Sequence, residues 1–205
     1  PMMAGEKFAK MREYAGSYLN TLDESNDTDT DWQSLFYRTA LVTNHNVNVS
    51  AGTDKGSYSF GAGYYLDQAV IPTQDFTRYS LNGSVDQSVG KYIRIGFTTN
   101  TNYSMNQGNQ VDMYAVLSKS PLVNPYNEDG TFKKLIDMPS DSKQSVITRE
   151  TIEALGELWV NESQNLATYN NAFAEIKIPG VEGLSYRVNL GMNYRSSKAG
   201  SFTGK

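Results

Sequence analysis

Three aspartates at alternate positions, Asp27, Asp29 and Asp31, come closest in this chain to a recognisable ligand set. Carboxylates at positions one, three and five open a calcium loop, but such a loop needs glycine at position six and glutamate at position twelve. Those places hold Trp32 and Arg38. The segment reads as a solvated acidic loop, with an irregular calcium site as the alternative. Glu150, Glu153 and Glu157 recur at i, i+3 and i+7. Paired carboxylates can hydrolyse glycosides, yet a solvent-facing acidic stripe is the commoner arrangement. His45 is the sole histidine. One imidazole without identifiable partners makes neither a metal cluster nor a triad, so it reads as a strand-end or interface residue. Gly61-Ala62-Gly63 lacks the third glycine and following helix of a dinucleotide loop. Asn-x-Ser/Thr triplets begin at Asn26, Asn48, Asn82, Asn102 and Asn161. They arise readily in a chain rich in these residues and carry no weight. With no cysteine, disulfides, cysteine zinc sites and thiol catalysis are excluded. No catalytic, cofactor-binding or metal-binding residue is assigned, and no enzyme is expected.

Arg78, Arg94, Arg187, Arg195 and Asp86, with many asparagines, are the remaining polar candidates. The elements that carry them give their placement meaning. Tyr58, Phe60, Ala62 and Tyr64 alternate with serine and glycine; Thr77, Tyr79, Leu81 and Val85 alternate with Arg78, Ser80, Asn82, Ser84 and Asp86. Ile93 to Tyr103 and Leu184 to Tyr194 repeat the pattern, so each is a strand with one apolar and one polar face. Strands are expected at about 43–53, 57–66, 76–87, 91–104, 168–178 and 184–195. Helices are expected at 4–19, from Phe8, Met11, Ala15 and Tyr18, and near 149–160, from Ile152, Leu155, Leu158 and Trp159.

Net charge is −4 with mixed signs, and no basic stripe suggests nucleic acid. No apolar run approaches a transmembrane helix. Hydrophobic content is 39% and tyrosines number 14, as suits strands with one face toward a wet lumen. A soluble sandwich would look alike locally. Connection lengths discriminate: 54–56 and 88–90 are tight turns, 67–75 is longer, 105–167 is very long, and 179–183 is short. Outer-membrane barrels alternate short periplasmic turns with longer extracellular loops. The expected fold is therefore all-β, an antiparallel up-and-down meander forming part of a large transmembrane outer-membrane β-barrel, with helical segments in extracellular loops. The organisation is an extracellular segment with a short helix at 1–42, four barrel strands at 43–104, a long extracellular loop with a helix at 105–167, a barrel hairpin at 168–195, and the start of the next loop at 196–205. The lipid-side set is Phe60, Tyr64, Leu81, Val85, Ile95, Phe97, Val188 and Leu190. Tyr92, Tyr103, Tyr169 and Tyr194 suit an interfacial girdle. The alternative is a soluble cell-surface β-sandwich module that stacks sugars on exposed Trp159 and Tyr126.

Particular segments carry a resemblance. Asp31-Trp32, Arg38-Thr39, Asn44-His45-Asn46 and Leu66-Asp67-Gln68 fall in order within 31–68. DFTRYSLNGSVDQSVGKYIRIGFTTNTNYS at 75–104, PLVNPYNEDGT at 121–131, AEIKIPGVEGLSYRVNLGMNY at 174–194 and MMAGEKFAKMREYA at 2–15 continue it. The chain resembles SusC/RagA-type TonB-linked outer-membrane proteins, least so over 132–165. The resemblance implies an internal fragment of a 22-stranded barrel importing a glycan or peptide oligomer. It also implies a SusD-like surface lipoprotein and TonB as partners, outer-membrane lipid around the wall, and no nucleic acid or cofactor.

Overall fold

The computed structural model describes residues 28–121, 123–137 and 143–204. The helix expected at 4–19, and Asp27 of the acidic triplet, lie outside the described residues. The described chain opens with a one-turn helix, α1 (Trp32–Phe36). Asp31 caps it by accepting from the backbone N–H groups of Gln33 (3.0 Å) and Ser34 (3.2 Å). Four strands follow: β1 (Val42–Thr53), β2 (Gly56–Gln68), β3 (Asp75–Val89) and β4 (Ile93–Gln107). The next connection holds α2 (Met113–Leu117), a small hairpin of β5 (Leu135–Asp137) and β6 (Lys143–Ser145), α3 (Arg149–Glu153) and a 3-10 turn at Gly156–Leu158. The chain then returns as β7 (Trp159–Lys177) and β8 (Ser185–Thr203).

One six-stranded antiparallel sheet results, in the order β1-β2-β3-β4-β7-β8. Residues directly opposite one another share a face. The row Ala51, Tyr58, Val85, Phe97, Ala172, Leu190 therefore lies on one side of the sheet. By the same register all eight expected lipid-side residues share that side. The turns after β1, β3 and β7 gather at one end, with the β2–β3 and β4–β7 connections at the other, as the loop alternation predicts. Among the described residues neither β1 nor β8 has a strand on its outer edge.

Among the described residues every buried hydrophobic side chain lies outside the six-stranded sheet: Trp32, Phe36, Val116, Val123, Ile136, Val146 and Ile152. The sheet supplies none. Phe60 is 54% exposed and Leu190 69%. Among the described residues no second layer covers either face, and this speaks against the β-sandwich alternative, which needs its apolar faces packed on each other.

Four local expectations are corrected. The helix near 149–160 stops at Glu153, because Gly156 takes a left-handed φ of +45° and the chain leaves as β7 from Trp159. Glu157 falls in the 3-10 turn, so the three-glutamate stripe does not form on one helix. β7 begins nine residues before 168 and β8 runs eight past 195; both are 19 residues long. Tyr169 lies opposite Asn100 and Asn193, on the polar face and outside the girdle.

Candidate functional site: polar wall and loop cap

The apolar face has a definite height. On β4 it runs from Ile93 to Tyr103, roughly 34 Å of strand at about 3.4 Å per residue. At the usual barrel tilt this is about 26 Å vertically, the thickness of an outer-membrane apolar band. An aromatic row closes the loop end. His45 stacks on Tyr64 (centroids 6.4 Å apart), Tyr64 meets Tyr79 at 5.3 Å, and Tyr79 stacks on Tyr103 at 6.4 Å. Such amphipathic rings belong at a lipid–water boundary. One polar island interrupts the band: Asn170 donates to the Thr168 hydroxyl (3.1 Å), which pairs with that of Thr101 (2.8 Å).

The opposite face is the candidate site. Its middle rows are neutral. Asn48, Gly61, Asn82, Asn100, Tyr169 and Asn193 lie side by side across all six strands. The row on the turn side is Ser50, Ser59, Ser84, Thr98, Asn171 and Gly191. The side chains of Asn48 and Asn82 lean in over Gly61, where a Cβ would meet their amide oxygens.

Charge is confined toward the two ends. At the turn end Arg94 makes a two-pronged ion pair with Asp86 (2.7 and 2.8 Å), and Arg187 sits 3.6 Å from Glu175. The Arg187 guanidinium also covers the Phe173 ring at 3.8 Å. Phe173 itself lies over Gly96, where a Cβ would collide with it. Toward the loop end the Arg78 guanidinium lies 5.2 Å from the Tyr65 ring centroid. Arg195 donates to the Tyr169 hydroxyl at 3.2 Å.

A cap covers the loop end of the sheet. Phe36, Val116 and Ile152 form its core, with Ile71, Val111, Ile147 and Trp159 packed around them. The Trp32 indole N–H donates to the Ser120 carbonyl at 2.9 Å. Arg38 ties α1's segment to the β2–β3 connection, donating to the carbonyls of Ala69 (3.0 Å) and Gln74 (3.3 Å) and pairing with Asp75 at 2.6 Å. Asp31, Trp32 and Arg38 of those motifs are thus cap-building residues. Lys119 is buried, 1% exposed, with its ammonium donating to the Ser145 carbonyl at 2.7 Å and facing Trp32 at 5.4 Å. Burial pushes its pKa down, opposed by the Asp112 carboxylate. Asp129 is held below the usual carboxylate range by the hydroxyl and N–H of Thr131 (2.6 and 2.9 Å).

The structure brings three of the polar candidates, Asp86, Arg94 and Arg187, into one charged cluster with Glu175, and sets Arg78 and Arg195 apart from it. Asp31 is engaged as a helix cap. His45 joins the aromatic row, and Trp159 is packed into the cap rather than displayed. Tyr126 stacks on Phe132 at 4.9 Å. The asparagine row and its partner Tyr169 were missed by sequence reasoning, although the alternating Asn positions on β1, β3, β4 and β8 carried the signal. No helix among the described residues is long and apolar enough to cross a membrane.

One open sheet, an apolar band of bilayer height and a polar reverse face define a class: a stretch of transmembrane β-barrel wall. No protein-family profile matches the chain. It is 22% identical over 201 residues to the TonB-dependent receptor P39 of Formosa agariphila, covering 96% of this chain and 18% of that protein. It is 25% identical over 97 residues to the TonB-dependent receptor SusC of Bacteroides thetaiotaomicron, 47% of this chain and 10% of that one. The RagAB peptide importer in its closed-closed state superimposes with a TM-score of 0.66 at 18% identity, over 98% of this chain and 23% of the importer chain. The chain is similar to SusC/RagA-type TonB-dependent receptors over nearly its whole length, and shares their barrel fold. It spans under a quarter of the length of each relative described.

Proposed function

We propose that this chain is part of the barrel of a TonB-dependent outer-membrane transporter that imports glycan or peptide oligomers. The observation that carries the reading is the two-faced, single-layer sheet: its exposed apolar band fits the bilayer, and its polar face fits an aqueous lumen. In this reading the turns after β1, β3 and β7 face the periplasm, and the cap faces outward. The segments 1–42 and 105–167 then supply extracellular structure, and 43–104 with 168–195 supply wall, the β7–β8 wall continuing above the membrane. A SusD-like surface lipoprotein would meet the cap side, and TonB would act from the periplasm. Transport rather than covalent chemistry is the role of these residues.

The test uses the full-length protein in its native cells. Single cysteines at Gly130 in the cap and Gly90 in the β3–β4 turn are probed with a membrane-impermeant maleimide. Uptake of fluorescent glycan and peptide oligomers is compared with and without the gene. Labelling at Gly130 alone, with gene-dependent uptake, is expected. Equal labelling at both, or a protein in the soluble fraction, would end the transporter reading.

A further inference from the structure

We propose that the apolar face carries a docking site for one outer-leaflet lipid whose chains bear hydroxyl or amide groups next to its headgroup. The proposal rests on the membrane-wall reading and adds a ligand to the wall's outer surface. The first observation is an unfinished hydrogen-bond chain inside the apolar band. Asn170 spends one amide N–H on the Thr168 hydroxyl, which pairs with that of Thr101. The Asn170 carboxamide oxygen, its second N–H and the hydroxyl of Thr99, opposite it on β4, have no partner among the described residues. Hydrocarbon supplies neither donor nor acceptor. On β4, Thr101 and Thr99 stand two and four residues from Tyr103 in the aromatic row. After tilt these are about 5 and 10 Å below the boundary. Headgroups stay above that depth; hydroxyls and amides at the roots of acyl chains reach it.

The second observation is what lies beyond the polar groups. Thr99 also lines an apolar groove of about 400 Å³, with Val49, Phe60, Gly83, Val85 and Phe97. Gly83 opens it: a Cβ there would meet only the Thr99 methyl at 3.4 Å and the Ser59 carbonyl at 3.8 Å. The groove starts level with Asn170 and runs on toward the row of Val85 and Phe97, deeper in the band. From boundary to midplane the order is polar, then apolar, as along a lipid chain. A neighbouring protein would complete the hydrogen bonds without needing the groove beneath them. Lys198 extends the series on the boundary side. It lies opposite Gln164 in the register of this face, exposed and with no ion-pair partner among the described residues. The apolar run centres on Leu190 in β8 but on Val49 in β1, which shares a row with Met192, nearer the loop end. The strands therefore lean, and the bilayer normal descends from β8 toward β1. Lys198, Thr168, Thr99 and Gly83 follow that line: an ammonium for an anionic headgroup, donors and acceptors for the chain roots, and a groove for the tail.

The experiment places the full-length protein in nanodiscs holding two synthetic lipids with the same anionic headgroup. One has hydroxylated, amide-linked chains and the other plain ester-linked chains. Benzoylphenylalanine at Phe97, in the groove, or at Val188, on the same face but away from it, captures the neighbouring lipid under light, and mass spectrometry identifies it. Phe97 should capture the hydroxylated lipid about tenfold above its share, and Val188 should capture both in proportion. Asn170→Leu and Thr168→Val should each erase the preference, and Gly83→Leu should reduce capture of either lipid at Phe97. Each variant is checked for a folded barrel by heat-modifiable gel migration. Equal capture of the two lipids at Phe97, or a preference that survives Asn170→Leu and Thr168→Val, overturns the docking site and leaves the wall standing. Capture of a second polypeptide at Phe97 overturns it in favour of a protein interface. Capture of no lipid at either position strikes the wall reading itself.

Discussion

An arginine at Val85 should be among the most damaging substitutions on the sheet, and its depth says why. Val85 shares a row with Tyr58 and Phe97 on the apolar face. It stands four residues from Val89, at the turn end of the band, and six from Tyr79, in the aromatic row. At about 3.4 Å per residue these are roughly 14 and 20 Å of strand, or about 10 and 16 Å of depth after tilt. Val85 is thus close to the midplane. A guanidinium there should cost about 2–4 kcal/mol, against about 0–1 kcal/mol for Val89→Arg near the interface. Ser84→Arg, one residue away on the lumen face, should cost less than Val85→Arg because water replaces lipid. The assay is equilibrium guanidinium unfolding of the full-length barrel in vesicles, followed by tryptophan fluorescence. Equal costs for Val85→Arg and Ser84→Arg, or no cost at Val85, would refute the assignment of faces.

The chain of 205 residues expressed alone should aggregate or need detergent, since among the described residues β1 and β8 keep open edges and the apolar band keeps no lipid; a monodisperse monomer on size exclusion in detergent-free buffer would contradict this. Trp32→Ala should cost the cap about 3–5 kcal/mol, from a fully buried ring and a lost bond to Ser120, seen as proteolysis within 108–158 with the strands intact. Thr73 holds a φ of 64° with its hydroxyl oxygen buried and unbonded, so Thr73→Gly should stabilise the β2–β3 connection by about 1 kcal/mol, read as slower local proteolysis. Burial lowers the Lys119 pKa, so the unfolded cap holds that proton more tightly and cap stability should rise as pH climbs from the lowered folded value toward the free lysine value. Lys119→Met should flatten that rise in cap melting followed from neutral to alkaline pH.

Where lipid dictates the pattern, the strands were legible. Phe60, Leu81, Phe97 and Leu190 alternate with polar neighbours because one face must be apolar over the height of the bilayer. The same rule hid the ends of β7 and β8. Above the aromatic row, WVNESQNLA at 159–167 and SSKAGSFT at 196–203 touch no hydrocarbon, so period two fades while the hydrogen-bond ladder continues. Trp32 and Phe36 stand four residues apart, so their association is local. Their partners Val116 and Ile152 lie far along the chain, and nothing in a linear pattern links them. Tyr169 misled because a tyrosine near a strand end suits either face, and only its register with Asn100 decides.

The shared core of the cap has a consequence for how it can move. Phe36 precedes β1, Ile71 belongs to the β2–β3 connection, and Val116 and Ile152 to the β4–β7 connection. Each fills space the others need, and Arg38 bolts the first to the second. Three stretches of chain far apart in sequence therefore form one foldon. Their core amides should exchange with deuterium at a common opening free energy, and loss of any one anchor should release all three together. Motion at the mouth of the barrel is then all-or-none, with the stiff β7–β8 hairpin as its fixed post.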